Sequence, residues 1–71
     1  MADVHIFLEA DYRFGVGTLT MRVDHVNWDK PDLYDGEFWY PVEGIQLSTI
    51  GVEIGQRQVM IRGRCLRTMG K

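Results

Sequence analysis

The chain has 71 residues, 45% of them hydrophobic and 25% charged, with a formal net charge of −2. That length makes one domain, and the balance is that of a folded globular chain, not a disordered one. Cys65 is the single cysteine, which excludes an internal disulfide, so stability must come from a small core helped by self-association.

Charge is divided unevenly along the chain. All ten acidic residues lie at or before Glu53, where only Arg13, Arg22 and Lys30 oppose them, a net of −7. Beyond Glu53 come Arg57, Arg62, Arg64, Arg67 and Lys71 with no acid, a net of +5. Two such halves attract each other or attract a partner. No basic stretch followed by an apolar run opens the chain, and no apolar run approaches the roughly 20 residues of a membrane span. A lone thiol without an export signal makes the cytoplasm the expected location, with no membrane attachment.

Period two dominates the chain. Val4, Ile6 and Leu8 alternate with His5, Phe7 and Glu9, which predicts a first strand whose fully apolar face packs inward. Residues 11–17 supply turn formers and two glycines, so a hairpin is expected to follow. Residues 16–26 place Leu19, Met21 and Val23 on one side and Thr18, Thr20, Arg22 and Asp24 on the other, the pattern of a half-buried antiparallel strand.

From Trp28 to Gly36 the alternation stops. At most one short helical turn fits residues 29–36, capped by Asp29 and ended by Gly36. Residues 38–42 are aromatic and extended, and Pro41 confines them to a sheet edge or a bulge. Gly44 predicts a turn. Ile45 and Leu47 then occupy odd positions but Ile50, Val52 and Ile54 even ones, so a bulge or bend is expected between Leu47 and Gly51. Gly55-Gln56 reads as a two-residue hairpin. A last strand follows, with Val59, Ile61 and Cys65 inward and Arg62 and Arg64 outward. Gly63 marks curvature or a close backbone approach within it, and the tail frays from Thr68.

These elements predict a single all-β domain over residues 1–71, a small antiparallel barrel or roll of five to six short strands. In size and strand spacing it is similar to small barrels of the SH3-like and OB types, folds that host many unrelated functions.

Arg57, Arg62, Arg64 and Arg67 form the candidate anion-binding set. In a strand Arg62 and Arg64 project from one face, roughly 7 Å apart, flanked there by Met60 and Leu66. Arginines interleaved with apolar groups hold phosphates and stack on bases, which suits a nucleotide or nucleic acid. The competing expectation is cross-strand pairing with the acid-rich N-terminal strands, and a nucleic-acid binder usually carries a basic total.

Five of the eight aromatic residues (Trp28, Tyr34, Phe38, Trp39 and Tyr40) fall within thirteen positions. Phe38 and Tyr40 share one face of their strand and Trp39 takes the other. One face therefore meets the core, and the other meets a partner, a second subunit or the folded-back loop before it. Trp28, Tyr34, Trp39 and Met60 are the candidate interface residues. Asp29, Asp32 and Asp35 are spaced by three, unlike the alternate ligands of an EF-hand loop. An acidic face that mimics a nucleic acid and blocks a basic protein is an alternative use of them.

Catalysis and cofactors are not expected. His5, His25 and Cys65 form no close ligand pair for a metal. Ser48, the single serine, sits in no nucleophile elbow, and Gly15-Val16-Gly17 leads into a strand where a dinucleotide loop needs a helix. The sequence thus predicts a non-enzymatic interaction module. It would form homo-oligomers and contact other proteins as an accessory or inhibitory factor, with an anionic ligand as the alternative.

Overall fold

A computed structural model describes residues 3–69. The strands are β1 (Asp3–Phe7), β2 (Leu19–Val26), β3 (Asp32–Tyr34), β4 (Glu37–Leu47) and β5 (Glu53–Arg62), followed by one helix, α1 (Gly63–Met69). A 3-10 turn covers Glu9–Asp11. Every strand pairing is antiparallel within one sheet. The expected β architecture is present, but the sheet is not closed into a barrel.

β4 is the spine of this sheet. Trp39 pairs with Asp32 on one side and Arg62 on the other, so β3 and β5 occupy opposite edges of β4. Residues 42–47 pair with both β2 and β5, which puts β2 and β3 end to end along the same edge. β1 extends the sheet beyond β2. On the far edge of β5 a single bridge joins Tyr12 to Ile61, backed by the Arg13 amide donating to the Met60 carbonyl at 3.1 Å.

The core lies on one face. Phe7, Leu19, Met21, Val42, Val59 and Ile61 come from the strands, Tyr12 from the β1–β2 connection and Leu66 from α1. Cross-strand partners share a face, and this decides how β1 sits. Phe7 is opposite Leu19 and His5 opposite Met21, so those two turn inward, whereas Val4 faces Arg22 and Ile6 faces Thr20 on the outer side. Val4, Ile6 and Leu8 are therefore 53%, 67% and 59% exposed, the reverse of the expected facing. The apolar face of β2 set the register, and β1 had to offer its Phe7 side.

Several other expectations are corrected. No helical turn forms within residues 29–36. Instead β3 and β4 make a tight hairpin through Asp35 and Gly36, both at positive φ (55° and 76°), the mirror-image turn that an Asp-Gly pair favours. Gly44 is no turn but the middle of β4, opposite Val23 and Arg57. A Cβ there would lie 2.1 Å from the Arg22 carbonyl oxygen. The register skips Asp24 just beyond, and this bulge turns both Val23 and Val26 towards the core. Pro41 lies in the central strand, yet its carbonyl accepts from Asn27, just past the end of β2. Its missing donor thus faces the place where the neighbouring ladder stops.

The change of phase after Leu47 is a hairpin between β4 and β5, closed by reciprocal bonds between Ser48 and Val52. Gly55-Gln56 lies inside β5 and makes no turn. The last strand ends at Arg62, and Gly63 opens α1, which carries Arg64, Cys65 and Leu66 as helical residues. The close approach expected at Gly63 is present, since an added Cβ would sit 3.0 Å from the Phe38 carbonyl oxygen. The tail expected to fray from Thr68 continues in helix to Met69, and Lys71 lies outside the described residues.

Gly44→Ala should lower stability by about 1–3 kcal/mol, the usual cost of forcing atoms into a packed site. Gly55→Ala, into open space, should change it little. Urea denaturation of the two variants checks this; equal midpoints would show that β2 and β4 do not approach so closely.

Candidate functional site

The four candidate arginines do not form one patch. Arg57 lies opposite Gly44 and Arg62 opposite Trp39, an odd interval along β5 that places them on opposite faces. Arg62 and Arg64 do meet, but on a shared acid. Glu37 accepts from Arg62 Nη1 at 2.8 Å and from Arg64 Nη2 at 2.8 Å. Arg62 also donates to the Ala10 carbonyl at 2.8 Å, and its Nε lies 3.6 Å from Asp11 Oδ1. Arg62 is thus neutralised across strands, the competing expectation for this ribbon, while Arg64 reaches the same acid from α1. Arg67 is exposed on α1, where it lines an open hollow with Glu37, Phe38, Gly63 and Arg64.

Arg57 is placed differently. Its Nη1 donates to Gln46 Oε1 at 3.0 Å, its guanidinium lies 5.9 Å from the Tyr12 ring centroid, and it pairs with no acid among the described residues. The remaining cations of the sheet pair across the chain, Arg13 with Asp32 and Arg22 with Glu53.

The aromatic segment folds back on itself. Trp39 is only 4% exposed; its indole N–H donates to the Tyr34 carbonyl at 2.9 Å, and the Tyr34 ring meets it edge-on at 6.0 Å. The β3–β4 hairpin thus supplies cover for Trp39 from within the chain. Tyr34 and Trp28 keep about half their surface exposed, Trp28 tilting against Tyr40 at 4.9 Å. Met60 is half-buried opposite Pro41. Asp29 and Asp35 are exposed, while Asp32 is engaged by Arg13.

Two features escaped the sequence reading. One is the outer stripe of β1, described above. The other is Phe14, 83% exposed at φ 66° with the Arg13 guanidinium 4.8 Å from its ring centroid. Only the exposed aromatic type was visible in the sequence, since the backbone conformation there depends on the distant bridge to Ile61.

Among the described residues no group of three or more His, Cys, Asp or Glu side chains is placed to hold a metal. Ser48 Oγ accepts from the Val52 amide at 3.1 Å as part of its turn. No helix of the described residues is long and apolar enough to cross a membrane. No family model matches the chain, and no curated protein or solved structure matches it.

Two titrating groups report on this geometry. The Arg64 hydrogen bond, against partial burial and with the Arg62 charge assisting, holds the Glu37 carboxyl below its ordinary 4.5. A lowered folded value means that the ionised group stabilises the fold in full above about pH 4.5, and loses this effect as pH falls through the folded value. Glu37→Gln should therefore lower the melting temperature at neutral pH by a margin that vanishes on acidification. Thermal melts across the acid range check this; a margin independent of pH would show that the ion pairs contribute nothing.

Burial, aided by a hydrogen bond with Asp11, pushes the Cys65 thiol up to about 11. The thiolate is the reactive form, so an aromatic disulfide reagent at mildly alkaline pH should label native protein roughly a hundred-fold slower than unfolded protein. Equal rates would place the thiol in open solvent.

Proposed function

We infer that this protein is a small binding module that acts by association, and that its first partner is a second copy of itself. The observation that carries this is the outer stripe of β1. The Val4, Ile6 and Leu8 face is the one fully apolar face of this segment, the pattern of a covered face, yet the fold covers the Phe7 side instead. Val4, Ile6 and Leu8 stand more than half exposed on a strand that pairs with β2 alone. It has no proline, lysine or bulge to discourage a neighbour.

Beyond β1 the same face carries Arg22, paired with Glu53, and Thr20, then half-buried Ile45 and buried Leu47. Val52 and Ile54 are exposed at the β4–β5 end. A stable contact usually takes about 800 Å² from each partner, roughly a sixth of this chain's 4868 Å². Three aliphatic side chains, each smaller than the roughly 150–250 Å² an aromatic buries, supply at most half of that. The contact therefore takes in Ile45, Val52 and Ile54 as well. A two-fold axis lets one such patch meet itself without any further complementary surface.

Electrostatics supports an apolar contact. Arg13, Arg22, Arg62 and Arg64 already pair with acids of their own chain, so little of the charge division remains to draw two chains together. A module of this kind works by occupying a surface and not by catalysis, and its lone thiol suits a reducing cytoplasm. Further protein partners would be contacted from half-exposed Trp28 or Tyr34, which pack on opposite faces of β4 against Tyr40 and Trp39.

Light scattering should give a mass above that of the monomer, held as salt rises. Ile6→Glu, outward and opposite Thr20, should return the mass to the monomer with the β signal in circular dichroism unchanged. A wild-type mass equal to one chain at every concentration would end this reading.

A further inference from the structure

The opposite edge of the sheet carries different chemistry. Past the bridge at Tyr12 and the Arg13 bond to Met60, an open groove of about 340 Å³ runs beside β5, lined by Arg13, Phe14, Arg57, Gln58, Val59 and Met60. Phe14 adopts φ 66°, a conformation that a bulky side chain rarely takes, and uses it to set its ring 83% into solvent. Strain that exposes an apolar ring contributes nothing to the fold itself, and such outliers gather at binding sites.

The ring belongs to a cluster. The Arg13 guanidinium lies 4.2 Å from the Tyr34 centroid and 4.8 Å from that of Phe14, and Asp32 anchors the cation from outside. Tyr34 and Phe14 thus both approach the Arg13 guanidinium, and most of the Phe14 ring stays open to solvent. Arg57 contributes a fork with five N–H donors, of which Gln46 engages one. Aromatic face and cationic fork line one groove.

We propose that this groove binds a nucleoside monophosphate, its base stacked on Phe14 and its phosphate held by Arg57. A planar π-system and an anion in one small molecule satisfy both features, and a guanidinium fork matches phosphate geometry. A polynucleotide is disfavoured because it needs several cations along its backbone, whereas Arg62 and Arg64 are tied to Glu37 and the chain totals −2. The groove lies at the low end of the range for small-ligand pockets, which suits a single nucleotide. This site does not depend on self-association, since it lies at the β5 edge and not on the β1 face.

The test is a titration of isotope-labelled protein with AMP, GMP, CMP and UMP, followed by backbone amide shifts. The amides of Phe14, Gly15, Arg57, Gln58 and Met60 should move and saturate, most tightly with the purines. Phe14→Asn, a residue that tolerates positive φ, should weaken AMP binding roughly five- to a hundred-fold, the span of one base–aromatic stack. Arg57→Gln should weaken AMP but leave adenosine unchanged. The absence of saturable shifts at these amides with any of the four at millimolar concentration overturns the proposal. So do shifts that Phe14→Asn leaves intact.

Discussion

The arrangement of this domain depends on the Arg62 guanidinium. It stands at the last position of β5 and reaches two segments far apart in sequence: Glu37 at the start of β4, and the 3-10 turn, where it meets the Ala10 carbonyl and Asp11. It also lies 5.1 Å from the centroid of the Trp39 ring. No other side chain offers several donors in a rigid plane together with a face that stacks, so lysine could not replace it. Holding the turn against β5 is what brings Tyr12 into the core and into its bridge with Ile61. The next two residues, Arg13 and Phe14, take their places from that bridge. Trp39, outside the main core cluster, is enclosed by Arg62 on one side and the β3–β4 hairpin on the other.

The same clamp explains the division of charge. An acid-rich first part and a cationic last part are what a small sheet needs when its final strand runs beside its spine. Glu37 serves two arginines, one from β5 and one from α1, so it fixes where the strand stops and the helix starts. A partly buried cation without its acids is far costlier than an exposed pair is favourable. The internal ion pairs therefore act more on specificity of arrangement than on gross stability. They also leave Arg57 as the cation of the sheet without an acid among the described residues, which singles it out from its neighbours in sequence.

Alternation made the sheet legible, along with the first hairpin, the Leu19, Met21 and Val23 face, and the cross-strand use of Arg62. What alternation could not decide was facing wherever both faces were apolar. In β1, Phe7 and the Val4, Ile6 and Leu8 set compete for the core, and only the register with β2 settles it. Gly44 misled for a related reason. It marks a close backbone approach, a long-range property, whereas a local reading makes it a turn; at Gly63 the expected approach is present. Asp35-Gly36 carried a strong hairpin signal, obscured by the polar residues around it. The helix at residues 63–69 is too short for a periodic pattern; the burial of Leu66 against strands far away in sequence is what holds it. Phe14 shows the limit most clearly, since its positive φ lies two residues past a bridge that joins Tyr12 to Ile61, 49 positions later.

An open sheet has two edges, and here they are not equivalent. β5 is crossed near its end by the Tyr12 and Arg13 backbone, which occupies the groups a neighbouring strand would need there. Below the crossing the edge presents Arg57 and Gln58, whose charge and polarity disfavour apolar docking. β1 has no such crossing segment, and its outer stripe is apolar. The two edges therefore suit different partners: the proposed contact between like chains fits the β1 end, and the proposed nucleotide fits the β5 end. An open small sheet is otherwise prone to pair at both edges and grow into a fibre. The Tyr12 and Arg13 backbone and the charge of Arg57 hinder such pairing along β5, and the two-fold contact proposed for β1 is one that closes on itself and does not propagate.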